Sequence, residues 1–219
     1  RDRNGNLFFT MKRVRGRDLR EIIKALQSGD LNTQRAFPLK TLLEIFLQVC
    51  RTLAHTHSKG VIHRDLKPAN VLTGEFGATY LIDWGLAKVW GEPDPRPTGT
   101  QESNDPTLTP PGRRYGTPLY MAPEVARGES HVDARTDVFG LGHILFEILT
   151  HRQIIQGQDI KEVETNLLEK PFPTPREVAP DKDIPLQLEE ICLKALQKDR
   201  RQRYPSVDSM MDDLLAYLD

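Results

Sequence analysis

The stretch VIHRDLKPANVLTGEFGATYLIDWG, residues 61–85, sets Asp65, Lys67, Asn70 and Asp83 among segments suited to burial at 61–62, 71–72 and 81–82. Charged groups beside buried strands are costly unless something pairs with them. Two carboxylates, an amide and an ammonium group therefore need partners, and either the fold or a ligand supplies them. Aspartates that only cap turns are the structural alternative.

Three motifs follow in order: HRDLKPAN at 63–70, DWG at 83–85 and GTPLYMAPE at 116–124. Together they resemble the signature set of the protein-kinase family, and the resemblance spans nearly the whole chain. It implies phosphoryl transfer through a loose transition state, in which the protein mainly positions groups and neutralises charge. On that resemblance Asp65 orients the acceptor hydroxyl and takes its proton. Lys67 reaches the transferring phosphate, and Asn70 and Asp83 are oxygen ligands for Mg²⁺. Lys67 could instead be a surface charge.

The resemblance also assigns supporting roles. His63 packs and hydrogen-bonds in the core rather than acting as an acid or base. Trp84 stands where the family usually has phenylalanine and is expected to pack beside His63, with Gly85 completing the motif. Glu124 and Arg203 resemble a buried ion pair tying the activation segment to the lower helices. Asp137 resembles the aspartate that fixes the catalytic-loop backbone. Arg64, beside Asp65, could pair with a phosphate in the activation segment, with Ser103, Thr107 and Thr109 as candidate acceptors.

Lysine within DLKPAN resembles the serine/threonine branch, and Thr117 is placed to bridge Asp65 and Lys67. Small-molecule kinases lack the GTP…APE segment, so serine or threonine in proteins is the expected acceptor and ATP the donor. Met11 resembles the gatekeeper, the backbone of Lys12 and Val14 the adenine-binding hinge, and Leu72 the floor under adenine. Asp18 is a candidate for the ribose hydroxyls or simply a surface aspartate. FGATYLIDWGLAKVWG also resembles certain bacterial serine/threonine kinases.

The elements that must position these residues are mostly helical. A strand following an Asn-Gly turn ends at Gly16, and RDLREIIKAL makes a short amphipathic helix closed by a turn at 28–30. From 38 to 58 Leu42, Leu43, Ile45, Phe46, Val49 and Leu53 form one apolar face, with Gly60 placed for a left-handed cap. NVLTG and ATYLIDW flank GEFG as a hairpin. The segment 136–152 is apolar nearly all round and is therefore central. Further helices are expected over 159–169, 185–197 and 205–218. The Pro- and Thr-rich stretch 91–110 has almost nothing to bury.

The fold expected is mainly α with a small β-hairpin cluster, a protein-kinase-like C-terminal lobe of α+β type. Residues 1–16 read as a hinge-strand remnant and 17–219 as the lobe, with the catalytic loop at 61–70 and the activation segment at 83–124. No glycine-rich lid, strand lysine or partner glutamate is found, since the G-L-G at 140–142 lies inside an apolar helix. The N-terminal lobe is expected to precede Arg1, leaving this piece alone inactive. A lobe-only scaffolding module and, further off, a small-molecule phosphotransferase are the other readings.

The net charge of -1 gives no support for nucleic-acid or membrane-surface binding. No run approaches the ~18–20 apolar residues of a membrane span, and no signal-peptide pattern opens the chain. Cys50 and Cys192 read as small buried hydrophobes, which suits a reducing cytoplasm. A kinase domain in the cytoplasm is expected, with membrane anchoring of a longer protein left open.

Overall fold

The computed structural model describes residues 16–90, 118–129 and 132–219. The sequence readings at Met11, Lys12, Val14, Ser103, Thr107, Thr109 and Thr117 lie outside these residues, as does the stretch 91–110.

Strand β1 (Gly16–Asp18) pairs with an antiparallel hairpin and leads directly into helix α1 (Leu19–Gln27). The strand was expected to end at Gly16; the described strand spans Gly16–Asp18, and Asp18 is the extended N-cap of α1. Its carboxylate accepts the Glu21 N–H at 2.8 Å. Leu19, Ile22, Ile23 and Leu26 form the buried face of α1. Helix α2 (Leu31–Ala36) was not anticipated, since LNTQRA carries no apolar stripe; Asp30 caps it through the Thr33 N–H at 2.7 Å. Helix α3 (Leu39–Ser58) buries the expected face, and Gly60 adopts φ 75° after it. Pro38 is its N-cap rather than part of its first turn.

Strand β2 (Val61–Ile62) pairs antiparallel with β5 (Lys88–Val89), a contact periodicity did not reveal. Strands β3 (Val71–Gly74) and β4 (Thr79–Leu81) form the expected hairpin, and β1 adds to it in the order β1-β3-β4. Gly16 is required here, because a Cβ would lie 1.9 Å from the Thr73 carbonyl oxygen.

After the short helix α4 (Pro123–Ala126) comes α5 (Arg135–Thr150), buried at every position from 136 to 150. Helices α6 (Ile160–Leu168), α7 (Pro175–Val178), α8 (Leu186–Ala195) and α9 (Val207–Leu218) complete the bundle. Of these α7 was not anticipated; Thr174 and Glu177 close it in a reciprocal capping box. Helix α5 packs against α3 and α8, while α9 covers α3 and α8. The two glycines of α5 permit close approach: a Cβ on Gly140 would lie 2.7 Å from Leu66 Cβ, and one on Gly142 2.8 Å from Leu196 Cγ. Their role is packing, and Leu66 belongs to the loop that carries the polar residues. Cys50 and Cys192 are buried, and burial pushes both thiols far up. Among the described residues no helix is long and apolar enough to cross a membrane.

Candidate active site

The loop from β2 to β3 must turn sharply while exposing polar groups, and α5 supplies the hook. Asp137, fully buried in its first turn, accepts the His63 N–H on Oδ2 and the Arg64 N–H on Oδ1, both at 2.8 Å. Its Oδ2 also lies 2.7 Å from His57 Nε2 at the end of α3. Arg64 has φ 69°, a left-handed backbone that costs about 1–3 kcal/mol unless its surroundings enforce it. The bond from Asp137 is that enforcement.

His63 is buried and its ring is fully engaged. Nδ1 accepts the Asp65 N–H at 3.3 Å while Nε2 lies 3.1 Å from the Ile82 carbonyl, which fixes the neutral Nε2–H tautomer. Burial lowers its pKa against the pull of Asp137. A neutral ring with both nitrogens in use has no proton to move. Trp84 meets it edge-on with centroids 4.5 Å apart and donates Nε1–H to the Leu81 carbonyl at 3.0 Å.

The groups that remain converge on Asp65. Lys67 Nζ contacts Asp65 Oδ2 at 2.7 Å, and Asn70 Nδ2 donates to the Asp65 carbonyl at 2.8 Å and to Oδ2 at 3.2 Å. With its amino group so engaged, Asn70 keeps its amide oxygen for another donor or a cation. The Ile82 N–H donates to the Asn70 carbonyl at 2.9 Å, which brings Asp83 beside Asn70. Asp83 is exposed, left-handed at φ 64°, and caps the following turn without a side-chain bond. The strand expected to reach 84 thus stops at Leu81. At Gly85 a Cβ would stand 3.3 Å from Asp83 Oδ1, so glycine keeps that carboxylate clear. In the sheet Asp18 lies opposite Leu72, on the strand that leaves this loop; one oxygen of Asp18 is committed to its cap.

The profile of the protein kinase domain matches residues 2–215. The chain belongs to the protein-kinase domain family. It is 34% identical over 222 residues to the serine/threonine-protein kinase PknD of Chlamydia felis, covering 97% of this chain and 23% of that protein. The PknD proteins of Chlamydia caviae (35% over 226 residues; 97% and 23%) and Protochlamydia amoebophila (32% over 222 residues; 97% and 22%) are similar. The chain thus spans less than a quarter of the length of these relatives.

The kinase domain ties its APE motif to the lower helices through Glu124 and Arg203, both buried. Arg203 Nη1 donates to Glu124 Oε1 at 2.8 Å and Nη2 to Oε2 at 2.7 Å, while Thr136 Oγ1 donates to Oε1 at 2.9 Å. The other guanidinium N–H groups reach the carbonyls of Gln197, Arg135 and Lys198, so every donor is used. Burial alone would raise the Glu124 carboxyl, but Arg203 outweighs it and holds the group below its ordinary value.

One buried polar cluster escaped the sequence reading. His143 and Glu147, one turn apart on α5, lie beneath Tyr120, the tyrosine of GTPLYMAPE. Tyr120 meets the His143 ring with centroids 5.6 Å apart and receives a hydrogen bond from Gln153 Nε2 at 2.9 Å. Glu147 Oε1 and His143 Nε2 are buried without a hydrogen-bond partner among the described residues. The only signal in the sequence was two polar residues inside an otherwise apolar helix. Burial raises the Glu147 carboxyl to about 7 against the opposing pull of Tyr120 and Arg20, and burial lowers His143 to about 3.

The sign for Glu147 follows from linkage. A folded pKa above the unfolded value of 4.5 favours the neutral acid in the fold, so its contribution is complete below 4.5 and lost as pH rises through about 7. The full change is about 3 kcal/mol. Glu147→Gln should therefore gain about that much relative to wild type between pH 4.5 and pH 8. Urea unfolding of both proteins across that range measures it; a constant difference between the two curves would exclude the titration.

Proposed function

We infer that the protein carrying this sequence transfers the γ-phosphate of ATP to serine or threonine hydroxyls of other proteins. The observation that carries this reading is the joined set Lys67–Asp65–Asn70, held by a neutral His63 and a buried Asp137, with Asp83 alongside. Asp65 is the group that aligns the acceptor hydroxyl and takes its proton, and Lys67, already 2.7 Å away, turns toward the transferred phosphate. Asn70 and Asp83 offer an amide and a carboxylate oxygen, a donor set that fits Mg²⁺. Bound there, Mg²⁺ would neutralise charge on the nucleotide phosphates.

In this reading residues 61–70 are the catalytic loop and 83–124 the activation segment, with Thr117 bridging Asp65 and Lys67. Leu72 lies under adenine, Met11, Lys12 and Val14 form the hinge, and Asp18 serves the ribose. Residues 1–16 then belong to the hinge strand and 17–219 to the C-terminal lobe. The substrates are proteins rather than nucleic acids, and the domain works in the cytoplasm. Resemblance to proteins named serine/threonine kinases supports the acceptor class.

The test uses the full-length protein with labelled ATP, Mg²⁺ and three acceptor pools: Ser/Thr peptides, Tyr peptides, and small hydroxylated or aminated metabolites. Label on Ser and Thr is the expected result. Label confined to Tyr or to small molecules would overturn the acceptor class, and no label in any pool would favour the scaffold reading.

A further inference from the structure

Helix α5 is buried from 136 to 150, yet its second half carries two polar side chains that the packing around them does not satisfy. His143 is 1% exposed and Glu147 4%, and His143 Nε2 and Glu147 Oε1 have no hydrogen-bond partner among the described residues. A buried polar atom is costly until it is bonded. The two residues stand one turn apart, and at that spacing Cβ atoms are about 5–6 Å from each other. Side chains of this length close such a gap with one hydrogen bond or one bridging water.

A carboxylate and an imidazole protonated on Nδ1 present two acceptors to each other, whereas a carboxylic acid donates to Nε2 and satisfies both atoms. The alternative, an Nε2–H imidazole facing a carboxylate, leaves a net charge among aromatic rings. Phe139, Tyr120 and Phe172 surround His143 with centroids 4.9, 5.6 and 6.4 Å from its own. Arg20 on α1 is the one cation that acts on Glu147 among the described residues, and it is exposed. Tyr120 is the other titratable group facing the carboxyl, and its hydroxyl already accepts a bond from Gln153 Nε2. The neutral acid is thus the form that fits, in agreement with a Glu147 carboxyl raised to about 7 by burial and a His143 ring lowered to about 3.

Tyr120 is half-buried and stands between this cluster and solvent, at the end of a turn at 118–120 that packs on α6. We propose that Glu147 and His143 share one proton beneath Tyr120, and that this proton latches the 118–122 stretch onto α5. When the stretch lifts, water reaches the carboxyl and takes up its proton. Closed, the carboxyl keeps its proton up to about pH 7; open, only to its ordinary 4.5. The latch is therefore complete below pH 4.5 and is lost as pH rises through about 7. Between pH 6 and pH 8 opening should become about ten-fold easier. The latch rests on the cluster alone. Its consequence rests on the proposed kinase reading, in which 83–124 is the activation segment: the KM for a serine peptide should rise across that range while the KM for ATP does not.

The experiment is hydrogen exchange of the full-length protein at pH 6 and pH 8, with rates corrected for the intrinsic effect of pH on amide exchange. In wild type the amides of 119–122 and 124–126 should exchange faster than those of 42–53 in α3, and their protection should fall about ten-fold from pH 6 to pH 8. In Glu147→Gln, whose amide donates to His143 Nε2 at any pH, that fall should vanish. His143→Phe should lower protection at pH 6, and His143→Gln, which keeps an acceptor, should restore it. Exchange of 119–126 no faster than the core of α3 would mean that the carboxyl is reached only by global unfolding, and it overturns the latch. So does a fall that persists in Glu147→Gln, or equal protection of His143→Phe and wild type at pH 6. Peptide and ATP kinetics on the same proteins separate the two readings. A protein with the expected exchange that labels no serine keeps the latch and loses the kinase reading; one that labels serine without the pH-dependent exchange loses the latch.

Discussion

Asp65→Asn is expected to lower phosphoryl transfer to a serine peptide by about 10²- to 10⁴-fold while leaving nucleotide affinity essentially unchanged. The substitution is close to isosteric, and the surrounding bonds indicate what it preserves. An amide oxygen at the Oδ2 position still accepts from Lys67 Nζ, now at 2.7 Å, and from Asn70 Nδ2, now at 3.2 Å. The second Asn70 bond, to the residue 65 carbonyl at 2.8 Å, does not involve the side chain. Asp137 continues to hold the loop through the N–H groups of His63 and Arg64. What disappears is the basic oxygen, replaced by an amide N–H₂ that can only donate. His63 cannot take over, because both ring nitrogens are engaged and burial disfavours its charged form. The loss corresponds to about 3–5 kcal/mol of transition-state stabilisation. Turnover and nucleotide titration on the full-length protein check it. If turnover stays within a few-fold of wild type, Asp65 is not the base.

Long apolar periodicities and intact motifs were legible in the sequence; contacts between distant short segments were not. The faces of α3 and α5 follow from side-chain spacing, since a helix must bury one stripe or, at the centre, all of itself. Helix α2 has no such stripe and exists because Asp30 caps it and Arg17 reaches Thr33 Oγ1 at 3.2 Å. The β2–β5 pair joins two-residue strands on either side of the hairpin, too short for a period to register. Within the site, the resemblance of the HRDLKPAN and DWG motifs to the protein-kinase set singled out Asp65, Lys67, Asn70 and Asp83. The left-handed backbone of Arg64 could not be foreseen, since it is held by a bond from Asp137, 73 residues further along the chain. Glu147 shows the same limit from the other side: its neighbour Tyr120 arrives from a remote turn, so only the oddity of a carboxylate in an apolar helix was visible.

Glu124→Ala is expected to destabilise the domain by about 3–5 kcal/mol, because it leaves the buried Arg203 guanidinium without its counter-charge. In a domain of this size that is a fall in melting temperature of about 6–20 °C. The alternative, that this is an ordinary surface ion pair, predicts about 0–1 kcal/mol. Burial decides between them: Glu124 is 2% exposed and Arg203 3%. The guanidinium also lies over the Phe139 ring at 4.7 Å and bonds three carbonyls from two chain segments, so it cannot swing out to solvent without breaking the junction of α4, α5 and the 197–203 turn. Arg203→Ala should cost a similar amount, leaving Glu124 charged beside Thr136 alone. Glu124→Leu with Arg203→Met should cost less than either single truncation, since no buried charge then lacks its partner. Acid supplies a further check. The Glu124 carboxyl is held below its ordinary value, so its contribution is present above about pH 4.5 and lost as pH falls through the lowered pKa. The stability gap between wild type and Glu124→Ala should therefore narrow in acid, and thermal unfolding of both proteins from pH 7 down measures that. A gap that is small at pH 7, or that does not change with pH, would mean that Arg203 and the carbonyls it binds hold this junction without Glu124.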